Sequence, residues 1–353
     1  MTSVVPPRRL LGAGPPFPFV DLFPKPTPLE PIPRFTGALT ELAFERHHMG
    51  PAMVWIKRED LMAVGLGGNK LRNLEFHVGA ALAQGADTLV TAGRGRANHC
   101  RLTAAAARRA GLACVLVLSG PEPARPSPNE RILELLGVET RYATEPTHES
   151  RDTLYAATLS ELRLGGRLPY AVPLGASGVV GASGQVLAAR ELADQLEGTG
   201  IHGDIVFVGA ATGGTSAGLR VGLDSSITVV AVPTYVSEAA AGGEFGDHLR
   251  GLTTDLVAAW GLSPGPEVLL DDLSTWLPYG ESSPRARAAA RLLAETEGIC
   301  VEPVYTARTA AAIVAWTMAG RLDGKTVVLW NGGGTPALFE DYGMEMTAVQ
   351  SVT

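Results

Sequence analysis

A chain of 353 residues with 46% hydrophobic and 18% charged residues is a globular protein with a substantial core, long enough for two domains or one large α/β body. Its formal net charge of −7 argues against nucleic acid or an anionic membrane surface as main partner. Three cysteines, Cys100, Cys114 and Cys300, in neither an even number nor CxxC spacing, argue against a disulfide framework and a thiolate metal site.

Residues 1–36 are rich in proline and are predicted to run extended over a domain surface. They show no signal-peptide core, and no later apolar run reaches bilayer length, so the cytoplasm is the expected compartment. The stretch "GLGGNKLRNLEF", Gly65 to Phe76, places Lys70 after a side-chain-poor turn at a helix start. Leu71, Leu74, Val78, Ala81 and Leu82 recur at the spacing of one helical face, and Gly85 closes it. Next come the strand "DTLVTAG", the helix "NHCRLTAAAARRAG" stopped by Gly111, and the strand "LACVLVLSG". "SPNERILELLG" predicts a helix capped by Ser127, with Pro128 in its first turn and Gly137 at its end. Later strands are "DIVFVGAATGG", "ITVVAVPTY", "EVLLDD" and "KTVVLWNGGG", with helices over 284–297 and 307–319. Nearly continuous apolar strands separated by helices predict an α/β fold of mostly parallel sheets covered by helices. There are too many strands for one small sheet, so two domains with the active site in the cleft between them are expected.

Three turns carry the chemistry. Lys70 sits where glycines allow close approach and a helix start offers positive charge. "GAATGGTSAGL", Gly209 to Leu219, is a small strand-to-helix turn of the kind that presents N–H groups and hydroxyls to phosphate. It lacks the Gly-Lys-Ser/Thr of a P-loop. It also lacks GxGxxG spacing, and the strand after it offers Pro233 in place of the ribose-binding acid. A lone phosphate monoester is the ligand left. "TAGRGRANHCRLTAAAA" brings Asn98 and His99 to a third helix start, with Arg94 and Arg96 adding charge. A lysine amine, a phosphate cradle and polar groups for a ring together suggest pyridoxal 5′-phosphate.

"KREDLMAVGLGGNKLRNLEF", "ANHCRLTAAAA", "ATGGTSAGL", "EPVYT" and "GGTPALF", in this order, resemble the fold type II pyridoxal-phosphate enzymes, whose fold is that of tryptophan synthase β. The match is to their D-cysteine desulfhydrase and 1-aminocyclopropane-1-carboxylate (ACC) deaminase group, over about residues 21 to 340. The division expected is a large cofactor-binding domain of residues 1–70 and 181–353, with a small α/β domain of 71–180. The resemblance implies that Lys70 forms the Schiff base with the cofactor and moves protons at the substrate carbons. It implies that Asn98 bonds the ring oxygen and that Thr212, Gly213, Gly214 and Thr215 cradle the phosphate. Tyr279 in "LPYGE" and Tyr305 in "EPVYT" match two tyrosines on the substrate side. Relatives are commonly homodimers, and no metal is implied.

Two departures bear on the substrate. Relatives read Gln-Ser-Asn where this chain has Arg96-Ala97-Asn98, so a hydroxyl that helps hold the substrate carboxylate is missing. Arg96 or Arg94 is then a candidate clamp for a second anionic group, with Ala97 and His99 beside it. Near the C-terminus, Asn331-Gly332-Gly333-Gly334 stands where desulfhydrases show His-Thr-Gly-Gly, and Thr306 stands where the deaminases use glutamate. Thr306 and Asn331 are both candidates to face the pyridine nitrogen, and a neutral partner there favours elimination. The expected activity is a carbon–sulfur lyase acting on a D-cysteine-like or S-substituted cysteine substrate. The alternatives are an ACC-type deaminase, a β-replacement enzyme and a catalytically inactive pyridoxal-phosphate-binding protein.

Overall fold

The computed structural model describes residues 14–234, 243–262, 268–273 and 282–340. In chain order it begins with β1 (Leu29–Pro31), α1 (Pro33–Phe44), β2 (Met53–Arg58) and α2 (Lys70–Ala83). There follow β3 (Thr88–Gly93), α3 (Asn98–Ala110), β4 (Ala113–Leu118), α4 (Pro128–Leu136), β5 (Glu139–Tyr142), α5 (His148–Leu164) and β6 (Pro169–Ala171). The chain continues through α6 (Gly178–Gly198), β7 (Ile205–Ala210), α7 (Gly214–Gly222), β8 (Thr228–Pro233) and α8 (Glu244–Trp260). It closes with β9 (Leu269–Leu270), α9 (Pro284–Glu297), α10 (Thr306–Met318) and β10 (Thr326–Asn331).

Two sheets result. One has the order β1-β2-β10-β7-β8-β9 and the other β5-β4-β3-β6. Every pairing is parallel except that of β1 with β2. This is the α/β arrangement that the apolar runs predict. Both faces of the larger sheet are covered: on β10, Val327 and Leu329 join one core with α1, α9 and α10, while Val328 and Trp330 join another with α6 and α7. The alternation is the two-residue period of a strand buried on both sides.

The proline-rich start departs from the sequence expectation. Residues 1–13 lie outside the described residues; from residue 14 the chain forms no helix before β1, and α1 then begins at Pro33, where a proline suits the first helical turn.

The helix α2 also departs from a simple amphipathic reading. Leu71, Leu74, Val78 and Ala81 pack into the core of the smaller sheet as their spacing predicts. The other face is buried too, because α6 lies against it, and a Cβ at Gly184 would collide with the Arg72 carbonyl oxygen. Polar residues on that face are therefore paired. Arg72 Nε and Nη2 donate to the Glu59 carboxylate at 2.6 and 2.7 Å, and Nη2 donates to Glu191 Oε1 at 2.8 Å. Asn73 Nδ2 donates to the Ala176 carbonyl, and Gln185 Nε2 donates to Asn73 Oδ1. This wedging of α2 fixes the position of its first residue, Lys70. Among the described residues, no helix is long and apolar enough to cross a membrane.

Candidate active site

A cavity of about 250 Å³ lies where the C-terminal ends of β3, β7 and β10 meet the starts of α2, α3, α7 and α10. Strand ends in parallel sheets leave such crevices because the following helices diverge from them. Its lining includes the ends of β7 and β10 and, from the turns and helix starts around them, Lys70, Asn98, Thr212, Tyr305 and Thr306. Among the described residues, no carboxylate or carbonyl bonds the Lys70 amine, so burial acts unopposed and lowers its pKa to about 8.

The helix starts differ in how they are capped. At α7 the cap is Gly213, at φ +74°, with no side-chain acceptor on the first N–H groups. A Cβ at Gly213 would lie 2.5 Å from Leu249 Cδ2, and one at Gly214 would lie 2.6 Å from Ser177 Oγ. The hydroxyls of Thr212 and Ser216 are buried there without partners among the described residues, while Asn69 Nδ2 donates to Thr215 Oγ1 at 3.0 Å. Open N–H groups and unmet hydroxyls at a helix start make an anion site.

The start of α3 is open as well, since its cap Ala97 has no acceptor to offer. Asn98 is oriented by Asn129, whose Nδ2 donates to Asn98 Oδ1 at 3.2 Å, leaving Asn98 Nδ2 without a protein partner among the described residues. Asn129 in turn accepts from Arg101 Nε at 2.8 Å, and Arg101 Nη2 reaches the Gly67 carbonyl beside the Lys70 turn.

At α10 the start is closed. The Glu302 carboxylate accepts the N–H groups of Val304, Tyr305 and Thr306 at 2.7, 2.8 and 2.6 Å. Thr306 Oγ1 donates to Asn331 Oδ1 at 3.2 Å, and the Gly333 N–H, which requires an acceptor, fixes which end of that amide is oxygen. Thr306 thus lines the cavity with its hydroxyl proton directed at Asn331, and Asn331 Nδ2 is buried with no partner among the described residues.

The sequence matches the pyridoxal-phosphate dependent enzymes over residues 20–333. The chain belongs to that family. Its cofactor is pyridoxal 5′-phosphate. Among solved structures it is similar to an ACC deaminase homologue, with 30% identity and a TM-score of 0.79, covering 93% of this chain and 94% of that one. Serine racemase from Dictyostelium discoideum (20% identity, TM-score 0.61, 87% and 92% covered) shares the fold. So does the threonine deaminase of T.th. (19%, 0.62, 87% and 92%). The α/β architecture is that of fold type II enzymes.

The residues present fit the family's cofactor. The unmet Thr212 and Ser216 hydroxyls and the glycine-lined start of α7 suit a phosphate, Lys70 suits its aldehyde, and Asn98, Thr306 and Asn331 suit its ring. The cavity brings together the predicted residues Lys70, Ala97, Asn98, His99, Thr212, Gly213, Thr215, Tyr305 and Thr306, with Gly214 directly behind. His99 Nε2 lies 3.0 Å from the Ala92 carbonyl, and its pKa falls to about 4, chiefly through burial and further through the charges of Lys70 and Arg151.

Arg96 is placed elsewhere. It is largely exposed, is not part of the cavity wall, and its guanidinium lies 3.4 Å from Glu340. Arg94 lines the cavity in its place. Tyr279 lies outside the described residues. Asn69, Ser216, Glu302, His148 and Arg151 were not anticipated. The first three adjoin motifs legible in the sequence, whereas His148 and Arg151 sit in an undistinguished helical stretch.

Proposed function

We propose that this enzyme eliminates a sulfur-linked group from the β-carbon of a small amino acid, a D-cysteine-like or S-substituted cysteine, giving a 2-oxo acid and ammonia. The observation that carries the reading is Thr306, a neutral residue whose hydroxyl proton is committed to Asn331 and which lines the cavity at the start of α10. Pyridoxal phosphate, when bound through its aldehyde, supplies a ring that delocalises charge left at the α-carbon. A neutral partner for the ring nitrogen weakens that delocalisation, and elimination tolerates this because the charge is discharged at once into a leaving group.

The chain's own groups do the rest. The open N–H groups at the start of α3 hold the substrate carboxylate, taking over from the hydroxyl missing at Ala97. Lys70 Nζ takes the α-proton. With a pKa of about 8, roughly a tenth of such amines are unprotonated at pH 7, against well under one in a thousand for an ordinary lysine. The C–H electron pair becomes the new C=C bond, and the C–S pair departs on sulfur, which takes a proton; Tyr305 is the candidate donor. Released 2-aminoacrylate then hydrolyses with water to the 2-oxo acid and ammonium.

Ring opening of ACC is the second reading, favoured by the 30% identity with the ACC deaminase homologue over 93% of this chain. Assay of the purified holoenzyme with D-cysteine, L-cysteine, S-substituted cysteines and ACC separates the two. Thiol and pyruvate released from a cysteine support the first. Production of 2-oxobutanoate from ACC, with no thiol from any cysteine, overturns it in favour of the second.

A further inference from the structure

Three cations, Lys70, Arg94 and Arg151, and two histidines line the cavity, and no Asp or Glu does so among the described residues. The chain as a whole carries a net charge of −7, so this is a local concentration of positive charge. The proposed reaction uses part of it. Lys70 is committed to the aldehyde, the start of α7 to the phosphate, and the start of α3 to the substrate's α-carboxylate. Neither Arg94 nor Arg151 has a role in that reaction.

Arg151 is the more telling. It occupies the first turn of α5, where the positive end of the helix dipole disfavours a cation. Its side chain is 9% exposed. Its protein partner is Asp152, whose Oδ1 accepts from Nε at 2.8 Å and lies 2.7 Å from Nη2, and which is itself 60% exposed. An ion pair with so exposed a carboxylate is screened by water and does little to offset the burial of a guanidinium. Nη1 has no protein partner among the described residues. The helix already has its own cap, since Thr147 Oγ1 accepts the Ser150 N–H, so Arg151 is not needed there. His148, one turn earlier on the same helix, lines the cavity at an exposed position, and Arg94 enters from the end of β3.

We propose that Arg151, with Arg94 and His148, binds an oxyanion at the far end of the substrate's side chain, so that the preferred substrate is a β-substituted amino acid whose substituent ends in a carboxylate, sulfonate or similar group. The inference rests on the proposed function, because it takes the α-carboxylate and the cofactor to be held as described above. It gives a physical account of Ala97: with a guanidinium holding the far end, the substrate retains two anchored ends without the missing hydroxyl. A planar guanidinium suits this task better than an ammonium, since it offers paired N–H donors to paired oxygens.

The matched pair S-carboxymethylcysteine and S-carbamoylmethylcysteine differs at the far end by a carboxylate against a carboxamide of nearly equal size. Both enantiomers are titrated into wild-type holoenzyme, Arg151→Gln and Arg151→Lys, and dissociation constants are read from the cofactor's visible spectrum. The expected result is a wild-type preference for the carboxylate of about 10-fold or more, the size of a charge-assisted bond. The ratio collapses towards one in Arg151→Gln and is partly restored in Arg151→Lys. An intact cofactor band in both variants shows that they fold. Equal affinity for the two compounds in the wild type overturns the inference alone. So does an Arg151→Gln variant that weakens both compounds with the ratio unchanged, which makes Arg151 the α-carboxylate anchor. If neither compound disturbs the spectrum, the proposed function falls and this inference falls with it.

Discussion

Asn69 Nδ2 donates a 3.0 Å hydrogen bond to Thr215 Oγ1, joining two residues 146 positions apart in the chain. It ties the turn that places Lys70 to the loop at the start of α7, so the amine and the candidate phosphate cradle are held in one frame. Asn69→Ala removes that tie without touching either group. The expected outcome is a roughly five- to fiftyfold weaker hold on pyridoxal phosphate, the scale of one lost buried bond with partial relaxation. Dialysis of the holoenzyme followed by spectral titration measures it.

Lys70 gives a pH prediction in the cofactor-free protein. Burial lowers its pKa from 10.5 to about 8, and only the neutral amine attacks an aldehyde. The rate of covalent capture of pyridoxal phosphate therefore rises with pH and levels off near pH 8. A rate still climbing towards pH 10 would show an amine in an ordinary environment. Lys70→Ala abolishes the visible band at every pH.

Thr212 and Ser216 carry buried hydroxyls with no protein partner among the described residues, an arrangement that costs stability unless a ligand meets them. Thr212→Val keeps the shape and removes the hydroxyl. Cofactor-free protein is expected to be as stable as wild type or more so in thermal melts, while affinity for pyridoxal phosphate drops about 10-fold or more. Loss of stability in the cofactor-free variant would mean that the hydroxyl has a structural role.

Glu302 caps α10 by accepting three N–H groups, and burial, outweighing those bonds, raises its pKa from 4.5 to about 7. The folded protein therefore holds this proton more tightly than the unfolded chain. Its contribution to stability is full below pH 4.5 and is lost as pH rises through about 7. Glu302→Gln cannot titrate, so the slope of melting temperature against pH over that window is expected to be shallower. The variant also loses bonds that fix Tyr305 and Thr306, with a cost of about 1–2 kcal/mol at the helix cap.

Arg72 is 1% exposed and neutralises Glu59, itself fully buried, together with Glu191. Arg72→Met leaves buried carboxylate without its partner, and the expected loss is about 3–5 kcal/mol in denaturant unfolding. Arg72→Met with Glu59→Leu is expected to recover part of it, because the orphaned charge is removed as well.

The fold class and the two turns at Lys70 and Thr212–Thr215 were legible in the sequence because they depend on local rules. Continuous apolar strands, glycines where backbones approach closely, and a Ser127-Pro128 helix start each act within a few residues. Helix α6 was not legible, since Gly178, Gly181 and Gly184 each weaken a helix by about 1 kcal/mol relative to alanine. Tertiary packing overrides that local preference: a Cβ at Gly181 or Gly184 would strike the Ala176 or Arg72 carbonyl oxygen, so the helix forms because it can come that close. The same holds at the site. Sequence identified arginines beside Ala97 but not which one faces the cavity, and only the folded chain turns Arg96 towards Glu340 and brings Arg151 in from α5. Local spacing determines what an element is, whereas the direction of a long charged side chain depends on which surfaces pack around it.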